Sequence, residues 1–534
     1  MSQSKKQSFL HGAALLAAAT IIVKVIGAFY KLPLNQIIGS QGFGYFNTAY
    51  NIYTVLLMIS TAGLPVALSR MISQDSSAGN YNQLRRTFRT AQTIFLVLGV
   101  LGAGLMTFFA KPLAAWLNSP NSWVAIACLG PSALLICLMS GFRGFFQGQS
   151  DMIPTSVSQV LEAACKLVVG LGLAWVIYDK TGSIPYAAGG AILGVTIGCL
   201  LSTLFLYGRF RPAYAALPQG GGEEDSYAVT VKNLMRIAVP ITIGSAGLQI
   251  LNMIEIRVYM GQLLNLGYTQ DRADTMKGIY DMSQTIFNLP CSLVVPLTIS
   301  SLPVITSMLT RKRYDQIRQT SESAYRITGL ICAPCSVGLF VLGEPVMALL
   351  GGYTGEDLAL AGKLMSLIGV CVLIYALVML TNSILQAHGH ATAPAVHMFI
   401  GGLVKLGIVY VLTGNPDMGI LGMPVAAIVC YASILAMNMV AMSRMEGQKA
   451  RLFPNLLRSV VASVIMGVVV WGVLLALRGV LSADSTVGKV LLCGVPIAVG
   501  GCVYLLLAVK CKCITRSDCE LLPKGKKIAD FLRL

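Results

Sequence analysis

The sequence predicts an all-α, polytopic membrane protein of about fourteen transmembrane helices: two six-helix lobes in pseudo-two-fold repeat plus two C-terminal helices. Three observations lead there. Of 534 residues, 55% are apolar and only 11% are charged, against roughly 25% charged in a soluble domain. The apolar residues form continuous runs of about the 20 residues a bilayer demands, not the alternation of a β-barrel. Lys and Arg gather in every second connection between runs. A soluble enzyme, a disordered chain, a coiled coil and a small disulfide scaffold are excluded.

The apolar runs fall near 9–38, 43–69, 90–110, 122–141, 152–178, 185–208, 233–260, 279–307, 327–350, 361–382, 391–413, 418–443, 459–477 and 487–509. The first mimics a signal peptide, with Lys5 and Lys6 ahead of an apolar stretch. It continues past Lys24 to Ile38, so it reads as an uncleaved span. The implied organisation is an N-lobe over 1–208, a polar linker over 209–232, a C-lobe over 233–443, two further spans over 444–509 and a basic tail over 510–534. No connection is long enough for a soluble catalytic domain. Pro33, Pro240, Pro290, Pro296 and Pro303 sit in or beside spans one, seven and eight and should kink them.

Charge gives the orientation. With the N-terminus inside, the cytoplasmic segments hold 27 Lys and Arg, the outer segments 7, and the spans the remaining 5. Such a bias predicts both termini cytoplasmic, and it accounts for the net charge of +17 without a nucleic-acid partner. A monomer is expected.

Two stretches repeat. FFQGQSDMIPTSVSQVLEAACKLVVG near spans four and five parallels ILQAHGHATAPAVHMFIGGLVKLGIV near spans ten and eleven. Gln147, Pro154 and Lys166 align with Gln386, Pro394 and Lys405 at offsets of 239 or 240. GLPVALS at 63–69 resembles SLPVITS at 301–307. The near-constant spacing indicates a six-helix duplication in parallel orientation, an architecture of transporters with the substrate site between the lobes.

Ionisable side chains inside spans are costly and mark cavities or partners. Lys24 and Lys31 lie seven residues apart on one face of span one, roughly 10 Å along the axis. They form a cationic wall for an anionic substrate, or Lys31 snorkels to the surface. Glu162 and Lys166 have the favourable i, i+4 order, which fits a self-neutralising structural pair and a transport role equally. Glu255 and Arg257 point about 200° apart and cannot pair with each other, so Arg257 should face the cavity. Asn51 joins Lys24, Lys31, Glu255 and Arg257 as substrate-binding candidates. Asp281 begins span eight and fits an interfacial place. Lys405 repeats Lys166 without an upstream acid, because position 401 is Gly. These last four charges, Glu162, Lys166, Asp281 and Lys405, are structural or coupling candidates.

Other signals read blandly. His388, His390 and His397 have no acidic or thiol ligand nearby in sequence, so no metal is expected. Cys511, Cys513 and Cys519 lack a fourth ligand, and Cys332 and Cys335 fit packing inside a span. The scattered cysteines imply no structural disulfides. No GxxxxGK[ST] is present to mark a nucleotide-hydrolysing loop.

Residues 24–73, KVIGAFYKLPLNQIIGSQGFGYFNTAYNIYTVLLMISTAGLPVALSRMIS, together with the QGQSDMIP turn, resemble the polysaccharide-transporter branch of the MOP flippase superfamily. The likeness is to its SpoVB/YtgP group, relatives of the lipid II flippase MurJ, and it extends over essentially the whole chain. It implies an alternating-access flippase, not an enzyme, in the bacterial cytoplasmic membrane. Its cargo would be an undecaprenyl-pyrophosphate-linked saccharide, lipid II first and a capsule, teichoic-acid or spore-cortex unit second. It also implies central cations for the pyrophosphate: Lys24 falls at an arginine position of the family, Lys31 at an acidic one and Tyr30 at another arginine. Spans thirteen and fourteen would form a groove for the lipid tail. Some relatives couple to sodium or the membrane potential; here no acidic sodium site stands on spans eleven and twelve, and Lys405 fits that place as a fixed cation. No other cofactor is implied. A MATE-type multidrug antiporter should carry a net acidic pocket, and a membrane-embedded glycosyltransferase or ligase should carry acidic metal motifs or a large extramembrane domain. The five intramembrane cations against about three acids favour an anion. A scaffold without transport would leave these charges unexplained.

Overall fold

A computed structural model describes residues 3–219, 222, 224–390, 392–445, 452–481, 485–511 and 513. Among them every regular element is helical. In chain order these are α1 (Gln3–Met58), α2 (Leu64–Ser77), α3 (Tyr81–Phe108), α4 (Ala110–Trp116), α5 (Trp123–Gly148), α6 (Ile153–Cys165), α7 (Leu171–Thr181), α8 (Ile184–Ala215) and α9 (Tyr227–Asn265). Then come α10 (Gln270–Ser292), α11 (Val295–Thr310), α12 (Tyr314–Val341), α13 (Gly343–Val346), α14 (Gly355–Ala387), α15 (Thr392–Thr413), α16 (Gly422–Ser443), α17 (Leu452–Arg478) and α18 (Thr486–Lys510). Wide π turns join α1 to α2, α6 to α7 and α13 to the residues before α14.

Among the described residues, twelve helical stretches are long and apolar enough to cross a membrane. The first of them, Ile22–Ser77, is two spans. Gly39 adopts φ 67°, ψ 177° and breaks α1, a conformation open to glycine and strained for other residues. The Tyr30 and Phe46 rings therefore stand 5.7 Å apart, where sixteen residues of straight helix would separate them by about 24 Å. The expected eighth span comes from α10 and α11, interrupted at 293–294 between Pro290 and Pro296. With these two additions the helices match the fourteen expected.

The chain divides into two compact units, 1–278 and 279–534. The sequence placed the lobe boundary earlier, in the polar stretch 209–232. In the structure α9 packs against α1, α2 and α3 of the first unit. Gly63 permits this approach, because a Cβ there would overlap the Ala238 carbonyl and the Thr242 hydroxyl. The segment after α8 is held in the same unit: Arg85 donates to the Leu217 carbonyl at 2.8 Å, and Arg86 pairs with Glu224 at 2.6 Å. Phe88, Phe142, Phe145 and Tyr214 pack around Phe210 where α3, α5 and α8 meet.

In the second unit α12 packs on α14 and α17, α14 on α16, α15 on α16, and α17 on α18. Ile305, Tyr325, Leu380, Ile384 and Leu385 form its core. Leu101, Phe108, Trp175, Val411 and Leu506 are exposed on outer helix faces, as lipid-covered surfaces require. The described cysteines are free thiols. Cys519 and nearly all of the basic tail lie outside the described residues.

Candidate functional site

The two cations of the first span lie on α1 ahead of its break. Lys24 is exposed and Lys31 is half-buried. The Lys31 ammonium stands 6.0 Å over the Phe43 ring, which belongs to the returning half of α1. Asn51, farther along that half, is half-buried.

Glu162, near the end of α6, and Lys166, the first residue of the π turn that follows, occupy successive turns, but their direct partners differ from the pairing the spacing suggested. Arg143, from α5, donates to the Glu162 carboxylate at 3.3 Å and through Nε to the Ser158 hydroxyl at 3.0 Å. Lys166 turns its ammonium toward three rings, Tyr50 at 4.4 Å, Tyr30 at 5.0 Å and Phe46 at 5.6 Å. Ring faces carry negative electrostatic potential and partly replace the water that a lysine loses inside a membrane. Sequence reading assigned Arg143 to a cytoplasmic connection and did not see the cage. The repeat was a usable signal, since Arg143, Ser158 and Glu162 align at the same offset of 239 with Asn382, His397 and Gly401.

Arg257 and Glu255 are on α9, in the first unit. Glu255 is buried and Arg257 exposed. The Arg257 guanidinium stacks 5.1 Å over the Trp116 ring and donates to the Trp116 carbonyl, so Arg257 already ties α9 to the α4 end. Around it is a polar knot that sequence reading missed. Gln270 donates to the Asn118 carbonyl at 2.8 Å and to Asp274 at 3.0 Å. Ser119 donates to Asp274 at 2.7 Å. Lys277, counted as a loop residue, is fully buried and donates to the Gly44 carbonyl at 3.0 Å. Asp274 lies in the polar first turns of α10, ahead of the apolar run. Burial pushes its carboxyl up to about 6, against the opposing pull of the Gln270 and Ser119 hydrogen bonds and of Lys277.

In the second unit Lys405 is half-buried, within electrostatic reach of Tyr431 and Cys371. A Cβ at Gly401, one turn before it, would overlap the Ile434 side chain, which would have to shift for an acid to stand there. His397 contacts the Asn438 side-chain oxygen at 2.7 Å, and Asn438 donates to Thr381 and Asn382. Asp281 is half-buried on α10. No group of three or more His, Cys, Asp or Glu able to hold a metal occurs among the described residues. A groove of about 650 Å³ opens between α10, α12, α17 and α18, lined by Pro290, Pro334, Gly338, Met466, Gly501 and Tyr504 among other mostly apolar residues.

Fourteen spans, charges tucked among them and an apolar groove define a polytopic helical membrane protein, and the proteins it is similar to are transporters, not enzymes. The chain belongs to the polysaccharide biosynthesis protein family, which it matches over residues 9–309; residues 278–411 also match the MatE family. It is thereby a member of the MOP superfamily on its polysaccharide-transporter, MurJ-like branch. Stage V sporulation protein B of Bacillus subtilis (strain 168) is 26% identical over 82% of this chain and 84% of its own. The lipid II flippase MurJ of the same organism is 25% identical over 93% and 94%. Among solved structures, the lipid II flippase MurJ in an inward closed conformation superposes with a TM-score of 0.68 at 14% identity, covering 93% of this chain and 98% of that one. An inward-facing multidrug resistance MATE family transporter gives 0.61 at 13% identity, covering 80% and 100%. At these identities the structural likeness is one of fold.

Proposed function

We propose that this protein moves an undecaprenyl-pyrophosphate-linked saccharide, lipid II, from the cytoplasmic to the outer leaflet, with both termini cytoplasmic. Such a substrate joins an anionic headgroup to a long apolar tail. The observation that carries the reading is the apolar groove of the second unit, an unusual feature for a carrier of small hydrophilic cargo and a fitting one for a polyprenyl chain. Lys24 and Lys31 supply positive charge on α1 for the headgroup, in a setting where attraction exceeds that in bulk water. The likeness to a lipid II flippase over nearly the whole chain supports this cargo. The likeness to a sporulation protein supports a second reading, a spore-cortex precursor of the same lipid-linked chemistry.

The test is rescue of a strain depleted of its lipid II flippase, with a leaflet-accessibility assay for the lipid-linked precursor. Growth selects lipid II; a well-expressed protein that fails to rescue points to another lipid-linked unit. Lys24→Gln should lower flipping severely at matched membrane levels, and Lys24→Arg should keep most of it. Wild-type flipping by Lys24→Gln removes the headgroup assignment.

A further inference from the structure

Lys166 is placed where three spans meet. Its ammonium faces Tyr30 from the outgoing half of α1, and Phe46 and Tyr50 from the half that returns after Gly39. Lys166 itself begins the π turn between α6 and α7. Tyr30 carries the connection onward, donating to the Ala191 carbonyl of α8 at 3.2 Å. The close packing of α8 on that π turn is fixed by glycine: a Cβ at Gly194 would overlap Gly170. Glu162, the nearest carboxylate along the helix, is engaged by Arg143, so the rings are the direct neighbours of the lysine charge. Ring faces grouped around one cation are the arrangement by which proteins take up quaternary ammonium ligands, and the same attraction acts on a primary ammonium.

We propose that Tyr30, Phe46, Tyr50 and Glu162 form a binding site for a primary alkylammonium ion, which the protein fills with its own Lys166. Lys166 is then a positioning residue: a tethered cation that holds the two halves of α1 against α6 and α8 and so sets where Lys24 and Lys31 stand. The second unit offers the internal contrast. Its repeat position keeps a lysine, Lys405, but Asn382 and Gly401 stand where the first unit has Arg143 and Glu162, and Ile434 fills the space of the acid. The Arg143–Glu162 pair therefore has no counterpart at these repeat positions.

The experiment is chemical rescue, and it rests on the flippase reading only for its activity arm. Lys166→Ala removes the three side-chain carbons beyond Cβ and the ammonium, a gap with the length of n-propylammonium. The variant, in the full chain, should lose thermal stability in detergent and most flipping. Added n-propylammonium should restore both in a saturable way; 1-propanol, of equal length and no charge, should not. Lys166→Arg should retain more of both than Lys166→Met, which keeps most of the length without the charge and should not respond to the amine. Restoration of stability without any flipping, in wild type or variant, would leave the cation site standing and count against the proposed transport function. Wild-type stability of Lys166→Ala, or equal restoration by propanol and the amine, overturns the cation site. Should Lys166→Ala fail to insert, equal stability and activity of Lys166→Met and Lys166→Arg overturns it on their own.

Discussion

The Arg143–Glu162 contact allows a quantitative test of how charges are held inside the first unit. At 3.3 Å and an effective dielectric of about 20, the gross attraction is about 5 kcal/mol. Much of this is cancelled by desolvation. The arginine side chain is 11% exposed and the glutamate 25%, so neither limit applies: exposed pairs contribute about 0–1 kcal/mol, and breaking a fully buried pair costs about 3–5. A coupling of about 1–2 kcal/mol is therefore expected. The two single substitutions should also differ. Arg143→Met leaves Glu162 with Lys166 still one turn away. Glu162→Gln leaves both Arg143 and Lys166 without that carboxylate, and should be the costlier change. Reversible unfolding in mixed micelles of rising denaturing-detergent content gives the free energies for wild type, both singles and the double. Additivity within about 0.3–0.5 kcal/mol, or a larger loss for Arg143→Met, would refute the shared-carboxylate arrangement.

Asp274 should make stability pH-dependent: its raised folded value means that the stabilisation is fully present below the unfolded value near 3.9 and is lost as pH rises through about 6, a swing of up to about 3 kcal/mol. Asp274→Asn should flatten the melting-temperature profile of the detergent-solubilised protein across that window, and an unchanged profile would assign the effect to other groups. A Cβ at Gly501 meets nothing within 4 Å while one at Gly500 meets Val470 at 2.7 Å, so Gly501→Phe should narrow the groove and reduce flipping with folding intact, whereas Gly500→Phe should impair folding itself; equal flipping by Gly501→Phe and wild type would remove the groove from the transport path. The loss should be only several-fold, because a lipid tail leaving the bilayer for an apolar groove gains packing but little hydrophobic free energy. Single-cysteine labelling from intact cells by an impermeant reagent should reach position 271 and not position 211; labelling at 211 would invert the orientation.

How far the sequence reveals this protein depends on whether a feature is set along the helix or across helices. The spans were legible because the bilayer imposes length and apolarity on every one of them. The tail groove was expected from resemblance, and a groove lies where α17 and α18 meet α10 and α12. Cross-helix geometry was hidden. Spacing alone made Lys166 the partner of Glu162, since i, i+4 residues share a face; the rotamers were decided instead by Arg143, nineteen residues upstream on another helix. The cage was invisible because Tyr30 and Phe46 are sixteen residues apart and become neighbours only through the break at Gly39. Lys277 looked like a loop charge because a fully buried lysine is rare; the Gly44 carbonyl, brought close by glycine packing between α1 and α10, and the nearby Asp274 carboxyl help to make it tolerable. The missing acid before Lys405 shows the same rule from the other side. The repeat preserves the lysine, but the space one turn earlier belongs to the Ile434 side chain of α16, so an acid there would require that side chain to shift as well as the residue to change.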